Sequence, residues 1–211
     1  MQNTIRTYVN NEELVRRKRE HIANAAMKVF YDKGYKSATT RELARACGMS
    51  EGALYRYIGS KSDILHLLCL YASSAREILE DYRSSLGNVS ITEILSKCIE
   101  RYFIMQDESA DALIFIGREI HNFSHEDRKI LLGIQVDVIQ FFEGILREGI
   151  EQGVFQIEYP ELVAHDILMR GQDYALRRWY LKKKYSLNTF TRNFIDLLLK
   201  GIRADRISSG M

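Results

Sequence analysis

The sequence predicts an all-α fold of about nine helices, and three observations carry that prediction. Only one proline, Pro160, stands in 211 residues. Apolar residues recur at helical spacing over long stretches, and no alternating Val/Ile/Thr runs bounded by turns suggest strands. Composition adds an ordinary globular balance, 46% apolar and 27% charged, in a chain long enough to bury a core.

The helices follow in order from their caps and stripes. Ile22, Ala25, Ala26, Val29 and Phe30 form the stripe of a first helix, which Gly34 stops. The basic run Arg16 to Arg19 lies just ahead of that stripe and reads equally as a solvated face or a phosphate-contacting one. Thr39 and Glu42 form a capping box opening a second helix near Thr40, with Leu43, Ala44 and Cys47 on one side and Gly48 as its stop. Ser50 is an N-cap for a third helix whose Leu54 and Ile58 point inward, leaving Glu51, Ala53, Tyr55, Arg56 and Tyr57 to face out. Ser60 and Asp63 cap a fourth helix, through Ile64, Leu65, Leu67, Leu68 and Tyr71 to about Leu86, where Gly87 and Asn88 end it.

Ser90 with Glu93 opens the next helix, with Ile94, Leu95, Cys98, Ile99, Tyr102 and Phe103 inward, ending near Gln106. Ala110 to Asn122 is apolar nearly all round from Ala112 to Gly117, the pattern of a helix surrounded by protein. Ser124 with Asp127 caps a long helix to Gln152, stopped by Gly153. Pro160 suits the first turn of a helix to about Lys184, and a last helix spans about Asn188 to Arg203.

Two short helices joined by a glycine turn, about residues 40–58, are the pattern of a helix-turn-helix DNA reader. Gly52 and Ala53 are small enough for the start of the third helix to approach a groove floor. Thr40, Tyr55, Tyr57 and Lys61 are of the type that donates to phosphates, while Glu51 or Arg56 would reach base edges. Charge agrees with this. Residues 1–61 hold 12 Lys/Arg against 6 Asp/Glu, whereas the remainder holds 18 against 22. Positive charge gathered on the reader is the electrostatic footprint of phosphate binding.

Residues 16–70 resemble the N-terminal domain of the TetR family of one-component bacterial transcriptional regulators. The likeness rests on F-x-x-x-G-Y (Phe30, Gly34, Tyr35), T-x-R-x-L-A (Thr39, Arg41, Leu43, Ala44), G-M-S-x-G-x-L-Y (Gly48 to Tyr55) and Lys61. The resemblance implies that Phe30, Gly34 and Tyr35 are scaffold. It implies phosphate contacts at Thr40, Tyr55, Tyr57 and Lys61 and places Arg41, Gly52 and Ala53 near bases; Ser50, Glu51 and Arg56, read from the residues themselves, complete the candidate DNA-binding set. Ile58 departs from the family, which often has phenylalanine there. The resemblance further implies a DNA-binding domain, 1–60, and an effector-binding and dimerisation domain, 61–211. Together these describe a homodimeric repressor, released from a palindromic double-stranded DNA operator by a small-molecule effector.

Dimerisation falls to the last two helices, where Leu168, Gly171 and Ala175 form a small and apolar row and Phe190, Phe194, Ile195, Leu198 and Ile202 cover more than one face. An ordinary intrachain core is the alternative reading of those stripes. Effector candidates are polar and aromatic groups on apolar faces: Tyr102, Phe103, Phe115, Arg118, His121, Asn122, Phe141, Gln172, Tyr174 and Trp179. They suit a hydrophobic effector or a plain core equally. The segment Q-G-V-F…W-Y-L-K-K-K-Y-S-L is loosely similar to fatty-acyl-CoA-responsive members of the family, and multidrug or aromatic ligands are the alternative effectors. An architectural DNA-binding protein and an enzyme on a helical scaffold are the remaining alternatives.

No Gly-x-Ser-x-Gly elbow, Gly-rich phosphate loop or His-Glu-x-x-His motif points to catalysis. His121 and His125 flank Ser124, an N-cap, so no metal site is expected, and no cofactor either. Cys47, Cys69 and Cys98 show no metal or redox spacing and read as buried inert thiols rather than a Cys69–Cys98 switch. No apolar run reaches the roughly 18 residues of a membrane span. A cytoplasmic location and no membrane partner are expected.

Overall fold

The structure is a computed structural model that describes residues 5–72 and 75–203. Among these residues the chain forms eleven α-helices and one 3-10 turn: α1 Glu12–Lys33, α2 Thr40–Ala46, α3 Glu51–Leu54, α4 Lys61–Ala72, α5 Ala75–Ser85, α6 Ile91–Glu108, α7 Ala110–Glu119, the turn Ile120–Asn122, α8 His125–Glu151, α9 Pro160–Leu176, α10 Arg178–Leu181 and α11 Leu187–Ile202. The described residues hold no strand, only an isolated bridge between Phe155 and Arg203. By compactness the chain divides into two units, Met1–Ser74 with Asp111–Gly133, and Ala75–Ala110 with Ile134–Met211.

In the first unit α1 packs on α2 and α4, and α2 on α3. Ile22, Ala26, Phe30, Leu43, Leu54, Ile58, Ile64 and Leu65 are all buried, so the Ile58 departure is accommodated as core. Phe30 stacks on Phe115, ring centroids 5.6 Å apart, and Phe115 meets Phe123 edge-on. The last carbonyls of α1 are satisfied by a cation: Arg118 Nη2 donates to Phe30 O at 3.1 Å and Tyr31 O at 2.7 Å. That is the favourable end of a helix for a positive charge.

In the second unit α6 is the central strut, packed on α5, α9 and α11. Its Tyr102 and Phe103 are buried with Phe142, Ile145, Leu168, Ile195 and Leu199. Gly171 makes the α6–α9 approach possible. A Cβ there would stand 2.6 Å from the Tyr102 ring, so any larger residue would force that ring to shift.

Sequence and structure agree on most helix starts. The Thr39/Glu42 capping box is reciprocal, Ser50 and Ser90 each cap the backbone three residues on, and Asp63 and Asp127 both reach back to the serine that opens their helix. Gly48, at φ +66°, takes the left-handed conformation that the turn between α2 and α3 requires.

Four expectations change, and a fifth falls partly outside the described residues. α1 begins at Glu12 under an Asn11 cap, ahead of the apolar stripe. The helix expected to run unbroken from Ser60 to Leu86 is described as α4 and α5, and its continuity falls on residues 73–74, outside the described residues. α7 is not enclosed: only Ala110 and Phe115 are buried in it. It also gives way to a 3-10 turn at Ile120. The helix expected from Pro160 to Lys184 breaks at Arg177, φ −104° and ψ 26°, because beyond Ala175 the apolar stripe runs out into exposed Leu176, Trp179 and Tyr180. Eleven α-helices among the described residues thus stand against nine expected, one of the two extra coming from the break at Arg177 and the other from the undescribed residues 73–74 between α4 and α5.

Candidate nucleic-acid interface

The reading unit is built by α2, the turn at Gly48 and α3. Ser50 Oγ accepts from Ala53 N at 3.1 Å, which fixes the first turn of α3 with its backbone donors facing outward. Gly52 lies on the open side, and a Cβ added there would meet nothing within 4 Å. Beside it, Ala53 presents only a methyl group.

A polar clasp joins the two helices. Glu51 accepts from Thr40 Oγ1 at 3.0 Å and Arg41 Nε at 3.1 Å. These bonds, Thr40's first, hold the Glu51 carboxyl below its usual range. Glu51 is therefore a lock between α2 and α3 before it is a base reader. Arg41 spends only Nε on the clasp and keeps its side chain 80% exposed, so its remaining donors face outward. Arg41, Ala44, Arg45, Gly48, Met49, Ser50 and Glu51 line an open depression of 380 Å³ beside the turn.

Of the residues expected to meet phosphates, Tyr55 is exposed and Thr40 is half-buried with its hydroxyl committed to Glu51; Arg56, expected at a base edge, is exposed as well. Two differ from expectation. Tyr57 is buried, because α3 tightens after Leu54: Arg56 N donates to Ala53 O and Tyr57 N to Leu54 O, the i→i−3 pattern that stacks Tyr57 over Leu54 on the inner face. Lys61 turns back into the protein. Its Nζ donates to Tyr35 O at 2.8 Å and Ala38 O at 2.9 Å and sits 4.5 Å from the Tyr35 ring centroid. Three donors are fully used by those partners and a longer bond to Lys36 O, so Lys61 fastens the α1–α2 connection rather than offering its charge outward.

Sequence reasoning missed three features. Arg19, part-buried, donates to the carbonyls of Tyr57, Ile5 and Arg6. Arg16, of the same basic run, pairs with Glu13. His66 Nδ1 meets Asp127 Oδ1 at 2.6 Å inside the first unit. A signal for this pair was present in the sequence, since His66 interrupts the apolar run Ile64 to Leu68.

The effector candidates divide between the units. In the first, Phe115 is core, Arg118 caps α1, and exposed His121 stands beside Asn122, whose Nδ2 donates to Glu119. In the second, Tyr102 donates to Leu168 O at 3.3 Å and Tyr174 to Tyr185 O at 3.2 Å. Burial raises both phenols. Phe103 and Phe141 are core, Gln172 is half-buried and Trp179 lies in the open. Of the three thiols, all free and buried, burial pushes Cys69 up to about 12 and Cys98 to about 11. Among the described residues no group of three or more His, Cys, Asp or Glu side chains is arranged to hold a metal ion, and no helix is long and apolar enough to cross a membrane.

The expected dimer row is used within the chain. Leu168 and Ala175 are buried, and Gly171 lies against Tyr102. Ile195 and Ile202 are buried too, while Phe190, Phe194 and Leu198 are half-buried against the second unit's core. Apolar residues left open on the same helices are Leu162, Met169 and Leu176, seven apart along α9, and Leu197 on α11.

A short outward-facing α3, clasped to α2 over a left-handed glycine, within an all-helical chain of two units, defines a helix-turn-helix transcriptional regulator. Residues 22–68 match the bacterial regulatory proteins of the tetR family, and residues 88–202 match the tetracyclin repressor-like C-terminal domain. The chain belongs to the tetR family. Similar proteins include the HTH-type transcriptional regulator HbdR of Aromatoleum sp. (strain CIB), 23% identical over 202 residues, covering 93% of this chain and 86% of HbdR. Among solved structures, the regulator PfmR from Thermus thermophilus superposes with a TM-score of 0.71 at 27% identity, covering 85% of this chain and 97% of PfmR. FadR from Bacillus subtilis in complex with stearoyl-CoA superposes at 0.70 and 23% identity, over 87% and 99% of the two chains, and shows the shared fold.

Proposed function

We propose that the protein is a dimeric, cytoplasmic repressor whose grip on a palindromic operator is released by an acyl-CoA or fatty acid. The observation that carries the DNA reading is the start of α3, where Gly52 opens onto empty space beside the outward donors of Arg41. A helix end so bare can approach base edges closely. Residues 1–60 read DNA, through Arg41, Ser50, Gly52, Ala53, Tyr55 and Arg56 at the surface, with Thr40, Glu51, Tyr57 and Lys61 holding the reader's shape. Residues 61–211 bind effector and dimerise. Dimerisation uses the open row Leu162, Met169 and Leu176 on α9, with exposed Leu197 on α11, since exposed apolar side chains along one helix face mark a partner's seat.

The effector class draws on the Bacillus subtilis likeness, seen both in the sequence of its fatty acid metabolism regulator and in the FadR complex with stearoyl-CoA. The aromatic core around Tyr102, Phe103 and Tyr174 suits an acyl chain. Effector binding that favours a different spacing of the two α3 helices would weaken operator binding. The test is titration of purified protein with DNA from upstream of its own gene, at stated salt, with acyl-CoAs, fatty acids and aromatic compounds. Release by an acyl-CoA or fatty acid alone supports the reading. Release by aromatic compounds alone replaces the effector class, and the absence of preference over competitor DNA overturns the DNA reading.

A further inference from the structure

Ahead of α1 the backbone is fastened to the reading unit by bonds on both of its edges. Arg19 Nη2 donates to Ile5 O at 2.8 Å and to Arg6 O at 3.3 Å, while its Nε donates to Tyr57 O at 2.9 Å. Tyr8 N and Thr7 Oγ1 both donate to Arg56 O at 3.1 Å. Val9 N then donates to Thr7 Oγ1 at 3.2 Å, and Ile5 is buried. Residues 5–9 thus form an arm along the segment that leaves the recognition helix.

Fixing such an arm costs conformational entropy, and Arg19 is a guanidinium partly withdrawn from water to do it. What the arm displays is a charge. Arg6 is exposed, with its Cβ 3.6 Å from where a Cβ on Gly59 would stand, and so lies over the loop that enters α4. Arg16, Lys33 and Arg41 each pair with a carboxylate, whereas among the described residues neither Arg6 nor Arg56 has an acidic partner. Thr7 and Tyr8 beside it are also exposed. A planar guanidinium with no acidic partner, carried on a backbone held beside the segment that leaves the recognition helix, is matched to a phosphate of the adjoining duplex.

We propose that the arm is a second DNA contact, in which Arg6 binds a backbone phosphate flanking each major-groove half-site. Arg19 is its positioning residue. The proposal rests on the DNA reading above and extends the footprint beyond the bases that α3 reaches.

The test uses full-length protein and a duplex selected by the wild type from a random pool, made in two lengths: one trimmed at the outer edges of the half-sites, one extended by about one half-turn at each end. Arg6→Ala should weaken binding to the extended duplex about ten-fold and flatten its salt dependence by about 1.8, one phosphate from each of two subunits. The trimmed duplex should bind both proteins alike. Arg19→Lys, which gives up the fork, should show the same flattening, and the double variant should bind no more weakly than Arg6→Ala alone. Equal affinity and salt slope for wild type and Arg6→Ala on the extended duplex overturns the arm contact. If Tyr55→Phe weakens both duplexes in that same series, the DNA reading survives the loss of the arm. If the wild type selects no sequence at all, the DNA reading itself falls.

Discussion

His66 and Asp127 are paired inside the first unit, Nδ1 to Oδ1 at 2.6 Å, although 61 residues separate them in sequence. Asp127 also accepts from Ser124 N at 3.2 Å and Ser124 Oγ at 2.7 Å, so one carboxylate both caps α8 and holds α4. The helix that follows the recognition helix is thereby tied to the start of the longest helix among the described residues.

Removing one member of this pair leaves the other buried without its partner. His66→Ala should destabilise the protein by about 3 kcal/mol, read as a shift in urea midpoint with little change in slope. His66→Leu would fill the space and still leave Asp127 Oδ1 without its partner, so it should recover only part of the loss. A loss below about 0.5 kcal/mol in His66→Ala would mean that water reaches Asp127 and replaces the histidine.

Lys61 and Tyr55 should separate structure from binding. Lys61→Ala releases the carbonyls of Tyr35 and Ala38, so stability should fall by about 1 kcal/mol as part-buried acceptors lose their donor. Its effect on DNA affinity should come without a change in salt slope, because the ammonium does not face outward. Tyr55→Phe, at an exposed site, should leave stability within about 0.5 kcal/mol and still weaken binding to every sequence. A flattened salt slope in Lys61→Ala would return that residue to the phosphate contacts.

Local signals account for what was legible in the sequence. Thr39/Glu42, Ser50, Ser60/Asp63 and Ser124/Asp127 each mark a helix start because a cap and its target are only three residues apart. Tyr57 was not legible: its direction depends on whether the last turn of α3 is α-helical or 3-10, which packing over Leu54 decides. Lys61 and Arg19 were not legible either, since their acceptors are backbone carbonyls, which every residue type carries. Leu168, Gly171 and Ala175 could be recognised as a close-packing row, but the row does not say whether its partner is Tyr102 of the same chain or a second copy. Arg177 ends α9 where the stripe fails, yet neither a glycine nor a proline stands there to announce it.

Two glycines of the second unit are held by neighbouring rings. A Cβ on Gly149 would collide with the Phe155 ring, and one on Gly171 would stand 2.6 Å from Tyr102. Phe155 is buried, and its amide bonds back to Gly149 O at 3.0 Å, so the ring has little room to withdraw. Gly149→Ala and Gly171→Ala should each cost about 1 to 3 kcal/mol by overpacking, although alanine is the better helix former. Gly144→Ala, where nothing lies within 4 Å, is the control and should be neutral or slightly stabilising. Equal unfolding midpoints for all three variants would show that the Phe155 and Tyr102 rings can withdraw without loss.

Glu42 gives the reading unit a dependence on acid. Its carboxyl is lowered from the usual 4.5 to about 2, first by the bond from Lys33 and then by those from Thr39 that close the capping box. A carboxyl whose folded value is depressed binds its proton more readily in the unfolded chain. Its stabilising contribution is therefore complete above about pH 5 and is lost as pH falls from about 4.5 towards 2. Because the group is exposed, the effect should be modest and should shrink with added salt. Glu42→Gln keeps an acceptor for Thr39 N and removes the titration. Thermal midpoints of wild type and variant should converge as pH falls through that window, with the wild type ahead at pH 7. Parallel curves over the whole range would mean that the Lys33 bond is matched in the unfolded chain, and that the cap acts through its geometry alone.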